Sequence, residues 1–269
     1  MPATTMTCPS NEKGRLPGRR RVLVLSLGLL SQVTLAQLGA QAVDSLPFAV
    51  GERLEYQVRL SRVRASGRSV MTVECDTVRG QSAYLLRFDF SAGFGPIRAS
   101  DRTESWVDPS RLVALRFQKR EQHPFWSGQE AVELFPDEHR WEGLGGTAGE
   151  TATAVPLDEL SFIYFLRTLP LANDSLYEFD RHYAADRNPI TVQMVGRDTV
   201  LTGVGELATI VVELRVRDPR RYKDGVGLIR IHLTDDVRRI PVRIESDIPV
   251  VGKAVMTLRA WSQPASGKP

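Results

Sequence analysis

The chain is short of the residues from which catalytic and metal sites are usually built. Its 269 residues include two cysteines, Cys8 and Cys75, and four histidines, His123, His139, His182 and His232. No two histidines have the close spacing of a zinc site, and there is no His-Glu-x-x-His motif. No Gly-x-Ser-x-Gly elbow offers a serine nucleophile. The glycines of Thr202-Gly203-Val204-Gly205 are followed by neither a lysine nor a helix start, so a turn or bulge explains them better than a phosphate loop. These absences leave no recognisable catalytic apparatus, no metal site and no cofactor-binding motif.

Long apolar runs are also missing. The longest candidate, Val22 to Leu38, is interrupted by Ser31, Gln32, Thr34 and Gln37, whereas a spanning helix wants about 20 predominantly apolar residues. It follows the basic cluster Arg15, Arg19, Arg20, Arg21 and precedes Ala40-Gln41-Ala42. Basic, apolar and small-residue segments in that order read as a secretory signal peptide over residues 1–42, cleaved after Ala42. The alternative is an uncleaved anchor. No cysteine follows closely enough to carry a lipid, and the arginine cluster does not extend into a convincing twin-arginine motif. The mature protein is therefore expected in the periplasm, which sets aside functions that need ATP, NAD or nucleic acid.

Removal of the leader changes the charge balance. The chain has 35 basic and 32 acidic residues, and residues 1–42 hold five and one of these. The remainder has 30 against 31, a formal charge of −1, so a nucleic-acid footprint has no support. Cys75 would be the cysteine retained, which excludes a disulfide framework and a thiolate cluster. It shares an alternating face with Val73 and Met71, and is expected to be buried as a small hydrophobe.

What is present is alternation. Leu54, Tyr56, Val58 and Leu60 alternate with polar residues, and similar runs recur over 70–75, 84–90, 97–107 and 112–118. Short strands and tight turns such as Ser66-Gly67, Arg79-Gly80 and Asp108-Pro109-Ser110 predict an antiparallel meander with one face on a core. Residues 156–169 break the pattern and predict a helix. Pro156 suits a first turn, Asp158 and Glu159 the positive end of the dipole, and Pro170 stops it. Leu160, Phe162, Ile163, Tyr164, Phe165, Leu166 and Leu169 leave it no wide polar face, so it should be buried. Strands then resume over 176–184, 190–195, 207–216, 226–233, 240–246 and 251–258.

Three stretches carry a resemblance: Phe48 to Tyr56, Asp158 to Arg167, and Asp235 to Val242. In that order they resemble a family of exported bacterial proteins of unknown function, DUF3108, over roughly Phe48 to Leu258. The resemblance implies an exported β-rich protein, and it carries over no catalytic residues. At fold level such proteins are similar to the open β-barrel carriers of bacterial lipoproteins, in which a sheet wraps a helix. Fold alone does not fix function.

The expected architecture is all-β: one β-rich domain over 43–261, its curved antiparallel sheet forming a half-barrel around helix 156–169, with a frayed tail at 262–269. Ser161 and Asp158 share one side of the helix and read as a polar stripe bonding to the sheet rims. Asp235 and Asp236 read as turn residues. The histidines read as surface residues. The expected function is non-catalytic binding of a lipid or another apolar small molecule, with no cofactor and no metal. Leu160, Ile163, Tyr164 and Phe165 would line the site, and Arg167 would stand at its rim facing an anionic head group. Placing Arg167 as a surface cation at the helix C-terminus is the competing reading. The alternative function is a structural or assembly factor that binds another envelope protein through a sheet edge or the Phe125-Trp126 tip; an unrecognised hydrolase comes third.

Overall fold

A computed structural model describes residues 46–62, 65–94, 97–219, 221–249 and 252–263. The expected leader, and the part of the tail over 264–269, lie outside the described residues.

The chain forms two antiparallel meanders. The first comprises β1 (Arg53–Leu60), β2 (Ala65–Val78), β3 (Gln81–Phe94), β4 (Ile97–Asp108), β5 (Val113–His123), β6 (Trp126–Phe135), β7 (Arg140–Gly143) and β8 (Ala148–Glu150). The second comprises β9 (Leu176–Phe179), β10 (Ile190–Thr202), β11 (Gly205–Arg217), β12 (Val226–Thr234), β13 (Pro241–Ile248) and β14 (Gly252–Ser262). Within each meander, strands pair with their sequence neighbours. The first and last strands, β1 and β14, pair with each other and fuse the meanders into one 14-stranded sheet. The sheet is curved and open, with β8 and β9 as its two edges. Both edges are short, which limits the unpaired backbone they offer to another chain.

Alternation decides which face turns inward. β1 buries Leu54, Tyr56 and Val58 and exposes Arg53, Gln57 and Arg59. Registered neighbours share that face: Leu54 lies opposite Met71, and Met71 opposite Phe88. Ser66 and Gly67, expected in a turn, belong to β2, where Gly67 pairs with Val58 and Ala92. There the strands pack so closely that a Cβ on Gly67 would sit 2.1 Å from the Ser91 carbonyl oxygen. Cys75 is exposed, contrary to expectation. It lies two residues past Val73, where the inner core along β2 ends.

The helix α1 (Glu159–Leu166) lies between the edge strands in sequence and fills the concavity in space. It is shorter than predicted at both ends. Leu157 is extended and bridges His182, while Asp158 caps the helix from outside. Past Leu166 the bonds tighten: Arg167 N donates to the Tyr164 carbonyl and Thr168 N to the Phe165 carbonyl. The helix divides the core between two clusters. Leu160 and Tyr164 pack with Phe48, Leu54, Tyr56 and Leu86, and Phe162 and Leu166 pack with Ile190, Val212 and Ile231. A helix that is apolar on both sides thus joins two halves of one sheet.

The segment before α1 also spans the gap between the sheet's flanks. Ala114 N donates to the Pro156 carbonyl on one side. On the other, Leu157 N donates to the Arg181 carbonyl and Tyr183 N to the Leu157 carbonyl. Arg181 reinforces this seam, with Nε on the Val155 carbonyl and Nη2 on the Leu112 carbonyl, both at 2.7 Å.

Candidate functional site

Two polar arrangements hold α1. The first is its N-cap. Asp158 Oδ1 accepts from the backbone N–H groups of Leu160 and Ser161, each at 2.9 Å, and the Asp158 N–H donates to Ser161 Oγ at 2.9 Å. This reciprocal capping box explains why Asp and Ser stand three residues apart. Asp158 and Ser161 bond mainly to each other, and one bond reaches the sheet, from Ser105 Oγ to Asp158 Oδ2 at 2.5 Å. Burial pushes the Asp158 carboxyl up to about 6, although the bonds from Ser105 and Ser161 oppose the rise.

The second arrangement overturns the expected position of Arg167, which is 2% exposed and so neither a surface cation nor a rim residue. Its Nη1 and Nη2 meet Glu52 Oε1 and Oε2 at 2.6 and 2.9 Å. It also donates to the carbonyls of Pro47 and Arg238 and lies over the rings of Phe48 and Tyr164. Burial would lower the guanidinium's pKa, but Glu52 reverses that and raises it. The three stretches that carry the family resemblance meet here. The first supplies Glu52 and Phe48, the second Arg167, and the third the Arg238 carbonyl; Tyr56 also donates to the Pro241 carbonyl. Their meeting point ties the stretch before β1, the end of α1 and the turn before β13 to one another.

The cavity lies on the other side of the helix. It has a volume of about 320 Å³ and lies between α1 and the concave sheet, partly open to solvent. Leu160 and Ile163 line it, together with Met71, Phe88, Leu214, Ile231, Ile244 and Met256. The other two expected lining residues face elsewhere. Tyr164 packs edge-on against Phe48 in the core, and Phe165 packs on Phe162 and Phe179 under the Arg181 guanidinium.

One end of the cavity is polar, a feature sequence reasoning missed. Asp101 and Thr103 of β4 and Lys119 and Glu121 of β5 point inward there, and Glu159, His182 and Arg187 join them. The charges compensate one another: Lys119 Nζ lies 3.3 Å from Glu159 and 3.4 Å from Glu121, and Arg187 lies 3.7 Å from Asp218. Burial alone would raise the Glu159 carboxyl, but the nearby cations, Lys119 foremost, hold it below the usual carboxylate range. Burial raises Asp101, with His123 opposing and Glu121 adding to the rise. Asp101, Glu121 and His123 place ligand-type atoms within 4.8 Å of one another. His123 Nε2 already lies 2.8 Å from Asp101, so part of this donor set is spent internally.

Two of the histidines expected at the surface are buried. His232, on β12, is 5% exposed, and its Nδ1 lies 3.7 Å from Asp198; burial lowers its pKa, with Asp198 opposing. His182 is 2% exposed and lines the cavity. Asn188 grips the His182 backbone with both amide atoms, accepting from its N–H and donating to its carbonyl, each at 2.9 Å. Among the aromatics, Trp106 is buried, whereas Phe125 and Trp126 form an exposed hairpin tip. Asp235 and Asp236 are turn residues as expected. Asp235 meets Arg197 and Arg239, and Asp236 meets Thr234 and Arg238.

No helix among the described residues is long and apolar enough to cross a membrane. The fold is similar to that of a solved β-barrel-like protein of the DUF1849 family from Brucella abortus. The TM-score is 0.54 at 14% identity, over 80% of this chain and 98% of that one. A Mycobacterium tuberculosis lipoprotein, LppX, aligns over 80% of this chain and 89% of its own at 14% identity, with a TM-score of 0.25. No curated protein matches the chain. The model of the DUF3108 family, proteins of unknown function, matches residues 55–259, and the chain belongs to that family.

Proposed function

We propose that this protein is an exported envelope protein that binds an apolar or lipid-like ligand, without catalysing a reaction, in the cavity between α1 and the concave sheet. The observation that carries the reading is the cavity itself: about 320 Å³, with aliphatic, methionine and phenylalanine side chains making up about half of its lining residues and polar groups gathered at one end. Small-molecule sites share that composition and begin at about this size. At the polar end Lys119 is spent on Glu121 and Glu159, and Arg187 on Asp218, and no serine or cysteine beside His182 forms a nucleophile–base pair among the described residues. That weighs against the hydrolase reading. The supporting experiment is native mass spectrometry of the mature protein purified from the periplasm, with organic extraction of what travels with it. A stoichiometric apolar adduct, absent from a folded Ile163→Trp variant whose indole fills the cavity, is the expected result. A bare mass that persists after incubation with envelope lipids refutes the reading.

One observation favours the second reading, a factor that binds another envelope protein. Phe125 is 92% exposed at the β5–β6 tip, and Trp126 beside it stacks on His123. Exposed aromatics at a tip suit a protein contact. Loss of a co-purifying protein in a Phe125→Ser, Trp126→Ser variant, with the apolar adduct also lacking in wild type, would establish this reading instead.

A further inference from the structure

Among the described residues, His182 carries the one polar atom on the cavity wall whose hydrogen-bonding role is fixed and unfilled. The Ala184 backbone N–H donates to His182 Nδ1 at 3.0 Å, so Nδ1 keeps its lone pair and the ring proton sits on Nε2. That Nε2–H is buried and has no hydrogen-bond partner. The nearest carboxylate oxygen, Glu159 Oε2, is 3.9 Å away, beyond hydrogen-bond reach. The ring cannot easily swing to find another partner. Asn188 fixes its backbone, Ala184 fixes its other nitrogen, and Tyr183 packs against its face at 4.7 Å. A buried donor left unpaired costs about 1–3 kcal/mol. A rigid, unfilled donor on the wall of an apolar cavity is therefore matched to an acceptor brought by something else.

The surroundings decide what kind of acceptor. Four carboxylates line this cavity, those of Asp101, Glu121, Glu159 and Asp218, against three cations, Lys119, Arg187 and Arg221. The cations Lys119 and Arg187 are already paired. A further negative charge would enter an end where carboxylates outnumber cations and where, of the three cations, Lys119 and Arg187 are already committed. A neutral oxygen meets no such obstacle. Size sets a second limit: at about 30 Å³ for each water-sized group, the cavity holds on the order of ten heavy atoms, enough for one short chain and too few for a two-tailed lipid. We infer that the ligand is a single-chain amphiphile with an uncharged acceptor head, an alcohol, ester or amide, whose oxygen accepts from His182 Nε2–H while its chain lies along Leu160, Ile163 and Met256. This rests on the binding reading above and narrows it.

The test compares 1-octanol, 1-chlorooctane and octanoate, titrated at about pH 8 into the folded protein and followed by two-dimensional NMR. 1-Octanol offers an acceptor, 1-chlorooctane has nearly its shape but accepts poorly, and octanoate is an anion at this pH. Wild type should bind 1-octanol about fivefold more tightly than 1-chlorooctane, the scale of one net hydrogen bond. It should bind octanoate at least about tenfold more weakly than 1-octanol, because an uncompensated charge resists burial. In His182→Phe, which keeps a ring and removes the donor, the alcohol-to-chloride preference should vanish. The preference is a ratio within one protein, so general loosening of the variant cancels; if the variant does not fold, the wild-type ratios decide. Equal binding of 1-octanol and 1-chlorooctane, a preference that survives in His182→Phe, or octanoate binding as tightly as 1-octanol overturns the inference and leaves the cavity reading intact. No binding of any of the three overturns both.

Discussion

Asp158 gives the sharpest test of how α1 is held. It is fully buried, and its carboxyl is pushed from 3.8 up to about 6. The folded state therefore holds a proton on Asp158 at pH values where the unfolded chain has released it. For a group raised in the folded state, the stability it contributes is fully present below about pH 4 and is lost as pH rises through about 6. A rise of that size is worth about 3 kcal/mol. Asp158→Asn removes the titration while keeping an oxygen to accept from Leu160 N and Ser161 N, and asparagine is as good an N-cap as aspartate. Ser105 Oγ, which donates to Oδ2 in wild type, can instead accept from the new amide. Urea unfolding of both proteins at pH 4 and pH 7.5 reads the effect. Glu159, whose depressed carboxyl gives a trend of opposite sign, is present in both proteins and cancels in the difference. Relative to wild type, Asp158→Asn should gain about 3 kcal/mol between the two pH values, a midpoint shift of about 1 M or more. A difference that stays constant with pH, or that favours wild type at pH 7.5, refutes the argument that burial outweighs capping at this carboxylate.

Other expectations follow from the same geometry. Arg167→Met should cost about 3–5 kcal/mol in chemical denaturation, because it strands the Glu52 carboxylate in the core. The double variant Glu52→Leu, Arg167→Met should recover at least half of that loss, and equal destabilisation of single and double variants would deny the pair its role. Gly67→Ala should lower stability by about 1–3 kcal/mol, because the new methyl meets the Ser91 and Ala92 backbone instead of a flexible side chain. Thermal unfolding that matches wild type would contradict the close approach of β2 and β3. Phe125→Ser should leave thermal stability within about 0.5 kcal/mol of wild type, since the ring is almost wholly exposed; a larger loss would mean that the tip packs on something.

The strand content is legible in the sequence because β1, Ile190 to Met194 of β10 and Ile229 to Leu233 of β12 alternate between apolar and polar. The helix is legible for the opposite reason, being apolar on all sides. Its start is harder to read. Asp158 and Ser161 share a side and suggest a stripe reaching outward, whereas Asp-x-x-Ser closes a capping box on itself. Sequence reasoning requires a carboxylate or carbonyl partner for Arg167 if it enters the core. It cannot name Glu52, which lies 115 positions away, just before β1. The polar end of the cavity is hidden for a different reason. On β4 the inward residues Asp101, Thr103 and Ser105 are as polar as the outward Arg102 and Glu104, so alternation there carries no sign of which face turns in. His182 falls inside the strand read over 176–184, but β9 ends at Phe179 and the chain beyond it leaves the ladder, so its place beside α1 is not legible.

The sheet's open seam has a mechanical meaning. A closed barrel admits a guest through its mouth, whose width its strand ladders fix. Here β8 and β9 never pair, and the flanks are tied at the helix entrance by the backbone bonds of Ala114, Leu157 and Tyr183 and by the Arg181 side chain. These few bonds are a small tie beside the strand ladders. Breaking them would leave every strand pair intact, and protection of the Leu157 and Tyr183 amides in hydrogen exchange would measure how firmly the tie holds.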